Sequence, residues 1–409
     1  MEYRRYDPQK DEPAIRRLWR EIGWLRRGEA EAMDLLVGCG RALVTDINGE
    51  AECLVTTTPG TLRYLKEELP FSCVATVATS RIARQRRLAK GLTALAVAAD
   101  VADGALVSGL GMFDQGFYDQ LGFGTGGYEH QIAFDPLQLK VRVKARVPSR
   151  ITPDDWASVH AARLKRLLSH GSCTLTLPEV TRAEMLQHEN GFGLGYYDGP
   201  HGELSHHLWC WAKDVDHGPY NVKWMTFQTR EQFLELMVLI KSLGDQVRLV
   251  TMREPPGIQL QDLLERPFRQ LQVSEGSRYE SHMRATAYWQ MRICDLGGCL
   301  AGTHLRGSSV RFNLRLTDPI HRFLGPTAPW RGLSGDYVVT LGPSSGAEPG
   351  RDASLPTLAA SVGAFTRLWL GVRPASGLAM TDELSGPEEL LKKLDWVLCL
   401  PNPKPDFDF

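Results

Sequence analysis

The apolar period of this chain switches abruptly near residue 80, and that switch excludes most all-α and all-β architectures. Residues 72–80 (SCVATVATS) are rich in β-branched side chains and read as a strand. In the segment that follows, RIARQRRLAKGLTALAVAADVADGA, Leu88, Leu92, Leu95, Ala96 and Ala99 recur at helical spacing. Between the two patterns lie Arg81, Arg84, Arg86, Arg87 and Lys90. A strand that hands over to a helix through a basic loop belongs to an α/β layer, and it gathers positive charge beside unpaired backbone N–H groups. Such a turn suits a pyrophosphate; a solvated basic helix start is the alternative.

The neighbouring segments extend this unit. EPAIRRLWREIGWL places Ile15, Leu18, Trp19 and Ile22 at helical spacing, and Asn48-Gly49 sits between two partly alternating runs as a tight hairpin turn would. ALVSGLGM supplies another strand, DQGFYDQLGFGTGG a short helix or turn with a glycine-rich loop, and YEHQIAFD a closing strand. Residues 1–146 therefore read as an α/β domain with a mixed sheet. A basic stretch from Lys144 to Arg150 leads to Thr152, which can cap a helix ahead of Pro153, Asp154 and Asp155. Residues 147–285 repeat the α/β vocabulary without residue-level repetition, ending with the strand QVRLVTM and the helix-like IQLQDLLERPF. Residues 286–409 read as α+β. There Val310, Phe312, Leu314 and Leu316 alternate with Arg311, Asn313 and Arg315, a strand with one wet face, and LPTLAASVGAFTRLWLG and GPEELLKKLDWVL read as helices. At 409 residues, two or three cores are expected.

Composition removes several functions. A formal net charge of −1 supplies no bulk attraction to nucleic acid or to an anionic membrane, and no apolar run reaches bilayer-spanning length. Eight cysteines without a C-x-x-C spacing, behind a polar N-terminus, point to a reducing cytoplasm. His201, His206 and His207 cluster locally, but adjacent residues of a strand face opposite sides, so no metal site is expected.

The strand, the R-x-x-x-x-A turn from Arg84 to Ala89 and the downstream FYDQLGFG resemble the acyl-CoA-binding core of the GCN5-related N-acetyltransferase superfamily. The Eis-like branch, named for enhanced intracellular survival, is the more similar one. FYDQLGFG at 117–124, YWQMRICDL at 288–296 and a chain stopping at an aromatic residue in PDFDF carry that resemblance. It implies two tandem acetyltransferase-like domains with mixed sheets, the second degenerate and serving as scaffold, followed by a sterol-carrier-protein-like α+β domain. It also implies acetyl-CoA as co-substrate, a small-molecule primary amine as acceptor, no metal, and a homo-oligomer, hexamer or dimer.

Carried over residue by residue, the resemblance places the cofactor along the backbone of Thr76, Val77 and Ala78 and at the turn Arg84, Gln85, Arg86, Arg87, Leu88, Ala89 and Lys90. Arg87 stands where the family has its first glycine. It keeps a backbone N–H for the phosphate but adds a Cβ, so it either weakens CoA binding or compensates with its guanidinium. Tyr118 falls at the position of the general acid that protonates the departing thiolate; on the residues alone, a core tyrosine closing a turn is as good a reading. Phe409 would bring the terminal carboxylate to the amine, with Asp406 and Asp408 adding negative charge, although a solvated acidic tail is the simpler reading of those two acids; His130 reads as structural, with a base as the alternative. Trp24, Leu25 and Phe113 are expected to wall the amine pocket, and Asp114 to attract the amine. Two other functions fit the same residues: acyl-CoA binding without turnover, or carriage of a hydrophobic ligand by the third domain.

Overall fold

The computed structural model describes residues 3–25 and 30–408 and folds them around three sheets. The first has eight strands. Tyr3–Arg5, Arg41–Ile47, Glu50–Tyr64 and Glu67–Thr79 follow one another antiparallel, and Cys173–Leu175 adds to the side of Glu50–Tyr64. Val107–Gly111 then pairs parallel to Glu67–Thr79, as a strand returning through the helix Leu88–Ala102 must. Asn48 and Gly49 both take positive φ (54° and 87°) and close the predicted hairpin. Asp7 caps the helix Pro8–Ile22 by accepting from Gln9 N at 3.0 Å, and Ile15, Leu18 and Trp19 bury its apolar face.

Two strands sit in a different sheet from the one their sequence position suggests. Glu129–Phe134, expected to close the first sheet, lies between Val250–Arg253 and His282–Thr286 in the second, seven-stranded sheet. The place it leaves is taken by Trp289–Ile293, expected in the third region, which inserts between Val107–Gly111 and Gly124–Thr125. Both strands are apolar enough to pair anywhere, and the choice is made by partners more than a hundred residues away. Gly126 fixes the second arrangement, since a Cβ there would lie 2.2 Å from the Trp289 indole.

The third sheet orders Gly346–Pro349, Gly335–Leu341, Val310–Thr317, Thr357–Ser361 and Leu384–Ser385. Thr357–Ser361, expected to be the first turn of a helix, instead pairs parallel to Val310–Thr317; Ser361 then caps the helix Val362–Trp369 by accepting from Ala364 N at 3.2 Å. The stretch expected as the loop GPSSGAEPGRD contains the strand Gly346–Pro349. Asn313, expected on the wet face, is buried: its Nδ2 donates to the carbonyls of Asp352 and Leu355 at 2.7 and 2.9 Å, and its Oδ1 accepts from Asp352 N. The chain returns at its end to the first two sheets. Pro405 O accepts from Cys173 N at 2.7 Å, and Tyr288 donates its hydroxyl to Phe407 O at 2.8 Å. Among the described residues no helix is long and apolar enough to cross a membrane.

Candidate active site

Where the parallel strands of the first sheet part, a cavity opens. Glu67–Thr79 and Val107–Gly111 pair only at Phe71–Val107, Ser72–Ser108 and Cys73–Gly109; beyond Cys73 they diverge. The divergence has a local cause. Against the neighbouring strand, Thr56 pairs with Ala75 but Leu54 with Ala78, so one extra residue bulges at Thr76, whose φ is 44°. Thr56 Oγ1, 2.6 Å from Thr76 Oγ1, steadies the bulge. Val74 to Thr79 therefore turn one backbone edge toward space rather than toward a strand, and that space is a cavity of about 890 Å³.

Most of the predicted site residues meet there. Thr76, Val77, Ala78, Arg84, Ala89, Trp24, Phe113, Asp114 and Tyr118 all line the cavity. Phe113 is 91% exposed and Trp24 41%, so both stand at its rim rather than in a core. Leu25 and Leu88 do not line it: each is buried in a hydrophobic cluster. Gln85, Arg86 and Arg87 are exposed in the turn between a 3-10 turn at Arg81–Ala83 and the helix Leu88–Ala102, and the helix begins at Leu88, after that turn. Lys90 donates to Gln120 Oε1 at 2.5 Å and lies 5.1 Å from the Phe117 ring centre. Arg87 takes φ 60° and Gln85 φ 64°, so the position expected to need glycine is left-handed. Leu88, Ala89 and Lys90, with Arg87 before them, present the unpaired N–H groups of a helix start. Among the described residues none of Arg84, Arg86 and Arg87 has an acidic partner. Three exposed guanidiniums beside the positive end of a helix make a local region of positive potential.

Tyr118 enters the 3-10 turn Asp119–Leu121, its carbonyl accepting from Leu121 N and Phe123 N at 2.8 and 3.2 Å. Its ring packs edge-on against Phe117 and Phe123, with centroids at 4.8 and 6.1 Å. Only 6% exposed and with no hydrogen-bond partner for its hydroxyl among the described residues, it is held protonated: burial pushes its pKa up to about 12. The inserted strand clamps this turn. Gln290 Nε2 donates to Asp119 Oδ1 at 2.5 Å and to Thr125 Oγ1 at 3.2 Å, and Arg292 donates to Leu121 O and to Asp318 Oδ2, the latter at 2.5 Å. Gln290 and Arg292 are both fully buried. Their role was not legible in the sequence, where they sit 170 residues from the turn they hold.

Several further residues line the cavity. Cys73 is there, but burial pushes its thiol up to about 12, so it is no thiolate nucleophile. Glu184, Gln187 and His188 come from the helix Pro178–Leu186 and the residues after it, in the stretch expected to act only as scaffold. Phe407 and Asp408 line the cavity too, while Phe409 lies outside the described residues. The acids of the tail do not add free negative charge as expected. Asp406 pairs with Arg166 at 2.8 Å, and Asp408 pairs with Arg253 and, at 3.1 Å, with Lys223; these cations hold the Asp408 carboxyl below its ordinary value against burial that raises it. His130 lies 3.3 Å from Glu254 Oε2. His206 and His207 face opposite sides: His206 meets Glu235 at 3.0 Å, and His207 Nε2 accepts from Trp224 Nε1 at 3.1 Å. Asp198, His206 and Glu235 converge, and the guanidinium of Arg146, bonded to both acids, supplies the positive charge there.

No family model matches this chain, and no curated protein does. Solved structures do. A GCN5-related N-acetyltransferase from Kribbella flavida superposes with a TM-score of 0.73 at 18% identity, covering 100% of this chain and 98% of its own. A GCN5-related N-acetyltransferase from Anabaena variabilis gives 0.75 at 13% identity, over 98% of each chain. The fold over essentially the full length is thus that of GCN5-related N-acetyltransferases. Within that class, Eis1 from Mycobacterium abscessus gives 0.76 at 14% identity over 100% of both chains.

Proposed function

We propose that this protein transfers an acetyl group from acetyl-CoA to a primary amine, by direct attack of the amine on the thioester. The observation that carries the reading is the splay of Glu67–Thr79 from Val107–Gly111, with Tyr118 on the wall of the cavity it opens. The backbone edge of residues 74–79 suits the amides of a pantetheine arm, which extends a ladder that the adjacent strand has left. The turn at 84–90 suits the pyrophosphate: four helix-start N–H groups face outward beside three unpartnered guanidiniums. Acetyl-CoA supplies an activated acyl group when bound. This chain supplies position and a proton. Tyr118, held neutral, can donate its hydroxyl proton to the leaving sulfur without tuning, and the raised Cys73 thiol favours direct transfer over an acyl-enzyme.

Tyr118→Phe removes only the hydroxyl from a ring whose packing stays. We expect kcat, followed by thiol release with acetyl-CoA and a panel of amines, to fall by about a hundredfold or more, with acetyl-CoA affinity little changed. Equal kcat in the variant would remove Tyr118 from the mechanism. The left-handed Arg87 favours a second reading, acyl-CoA binding without transfer. Saturable acetyl-CoA binding with no thiol release for any amine would establish it instead.

A further inference from the structure

Glu184 separates two environments. Its Oε2 is bonded to Arg163, whose guanidinium also donates to Thr181 Oγ1 at 3.1 Å and lies 4.4 Å from the Trp224 ring centre. The main cavity, however, is lined by Glu184 and not by Arg163. The cation stands behind the carboxylate, and Oε1 accepts from no group among the described residues. The same holds for Asp408, whose cations Arg253 and Lys223 are also absent from the cavity wall, but there both oxygens are taken, one by each cation. The third carboxylate of the wall, Asp114, is exposed and has no ion pair to order it among the described residues, so Glu184 is the one that is ordered by an ion pair on one side and still has an acceptor to offer on the other. Its side chain is 11% exposed, so an ion pair made with it inside the cavity is screened much less than one at the surface. Burial and, to a smaller extent, the nearby Asp408 raise its pKa, against Arg163 and Lys223, so a cation in the cavity would favour its charged form.

Resting on the acetyltransferase reading above, we propose that Glu184, contributed by the second unit of the chain, is the specificity-determining acceptor for a positively charged group on the amine substrate. The unit that sequence reasoning assigns to scaffolding then selects the substrate, while the first unit carries the transfer. The acceptor class is a diamine or larger polyamine: one neutral amino group to attack, and a second, protonated one seated against Oε1. A monoamine of the same length fills the cavity equally and leaves the carboxylate without its partner.

The test compares 1,5-diaminopentane with n-hexylamine, which has the same number of heavy atoms, on the full chain. Wild type is expected to prefer the diamine by about tenfold to a hundredfold in kcat/KM, and Glu184→Gln to bring that ratio close to one. Glu184→Asp keeps a carboxylate on the wall and is expected to retain part of the preference. Near-UV circular dichroism of both variants reports whether the packing around Trp224 survives. A wild type that does not distinguish the two amines, or a folded Glu184→Gln variant that still does, overturns the proposal. Amine binding, followed by tryptophan fluorescence in the presence of acetyl-CoA, keeps the two readings apart. If no amine is acetylated, the transfer reading fails, yet weaker diamine binding to Glu184→Gln than to wild type still upholds the role of Glu184, and equal binding refutes it.

Discussion

Replacing Arg292 by methionine takes a charge out of a place where neither partner touches solvent. Arg292 and Asp318 are both 0% exposed, and their pair joins the inserted strand of the first sheet to the turn Pro319–Phe323 after the first long strand of the third. In Arg292→Met the Asp318 carboxylate stays behind, still accepting from Ile320 N at 3.2 Å and Leu333 N at 2.9 Å but facing no counter-charge. Orphaning one member of a buried pair costs about 3–5 kcal/mol, and the two retained donors place this case near 3. Loss of the hydrogen bond to Leu121 O adds about 1 kcal/mol. Methionine fills much of the space beside Trp330 and Phe123, which the guanidinium approaches at 4.9 and 5.9 Å, so little cavity cost is added. The sum, about 4 kcal/mol, corresponds to a fall in Tm of roughly 8–16 °C for a cooperative unit of 150–250 residues. Differential scanning calorimetry of wild type, Arg292→Met, Asp318→Asn and the double variant measures it. The double variant should lose clearly less than the sum of the singles, because the second change removes the charge the first one strands. A shift below 2 °C for Arg292→Met, or additive losses, would refute this account of the pair.

Three further outcomes are expected. Glu129 is 7% exposed and burial raises its pKa to about 7, against Lys404 and Arg253. A carboxyl raised above its unfolded value binds protons more tightly when folded, so its contribution to stability is present at acid pH and is lost as pH rises toward 7; Glu129→Gln should gain Tm over wild type at pH 8 relative to pH 5. Arg87→Gly relieves a left-handed non-glycine residue and should be more stable by up to about 1 kcal/mol without ligand, while acetyl-CoA affinity falls severalfold and loses part of its salt dependence; tighter binding on titration would show that the guanidinium does not meet phosphate. Gly124→Ala places a Cβ 2.3 Å from Gly363 O, a backbone atom, and should cost at least about 1–3 kcal/mol in thermal unfolding.

What was legible in the sequence was local. The strand, basic turn and helix around residues 72–102 follow from a change of period, and the hairpin at Asn48-Gly49 follows from two residues that tolerate positive φ. Tyr118 and residues 76–78 were legible through resemblance, and the structure brings them to one cavity. The exchange of Glu129–Phe134 for Trp289–Ile293 was not, because a strand's period says which face is buried but not which edge it joins. Thr357–Ser361 reads as helix because Leu358 continues the helical spacing of Val362, Phe365 and Trp369, while Leu358 and Ala360 equally fit a strand face; the parallel pairing with Val310–Thr317 decides. Glu184 was hidden for a simpler reason. The second acid of PEVTRAEML resembles any solvated helix position, and only the tertiary fold turns it inward.

The strand Trp289–Ile293 also sets a clock. On a growing chain, the first sheet has its two neighbours, Val107–Gly111 and Gly124–Thr125, long before the strand that must lie between them. At ordinary synthesis rates of about 5–20 residues per second, roughly 10–30 s separate the emergence of Gly124 from that of Trp289. During that interval the turn carrying Tyr118 lacks both Gln290 and Arg292. The unit that carries Tyr118 is therefore the first to begin and among the last to finish, and a ribosome paused within the second unit would hold a nascent chain with an open sheet edge, the kind of surface that chaperones meet.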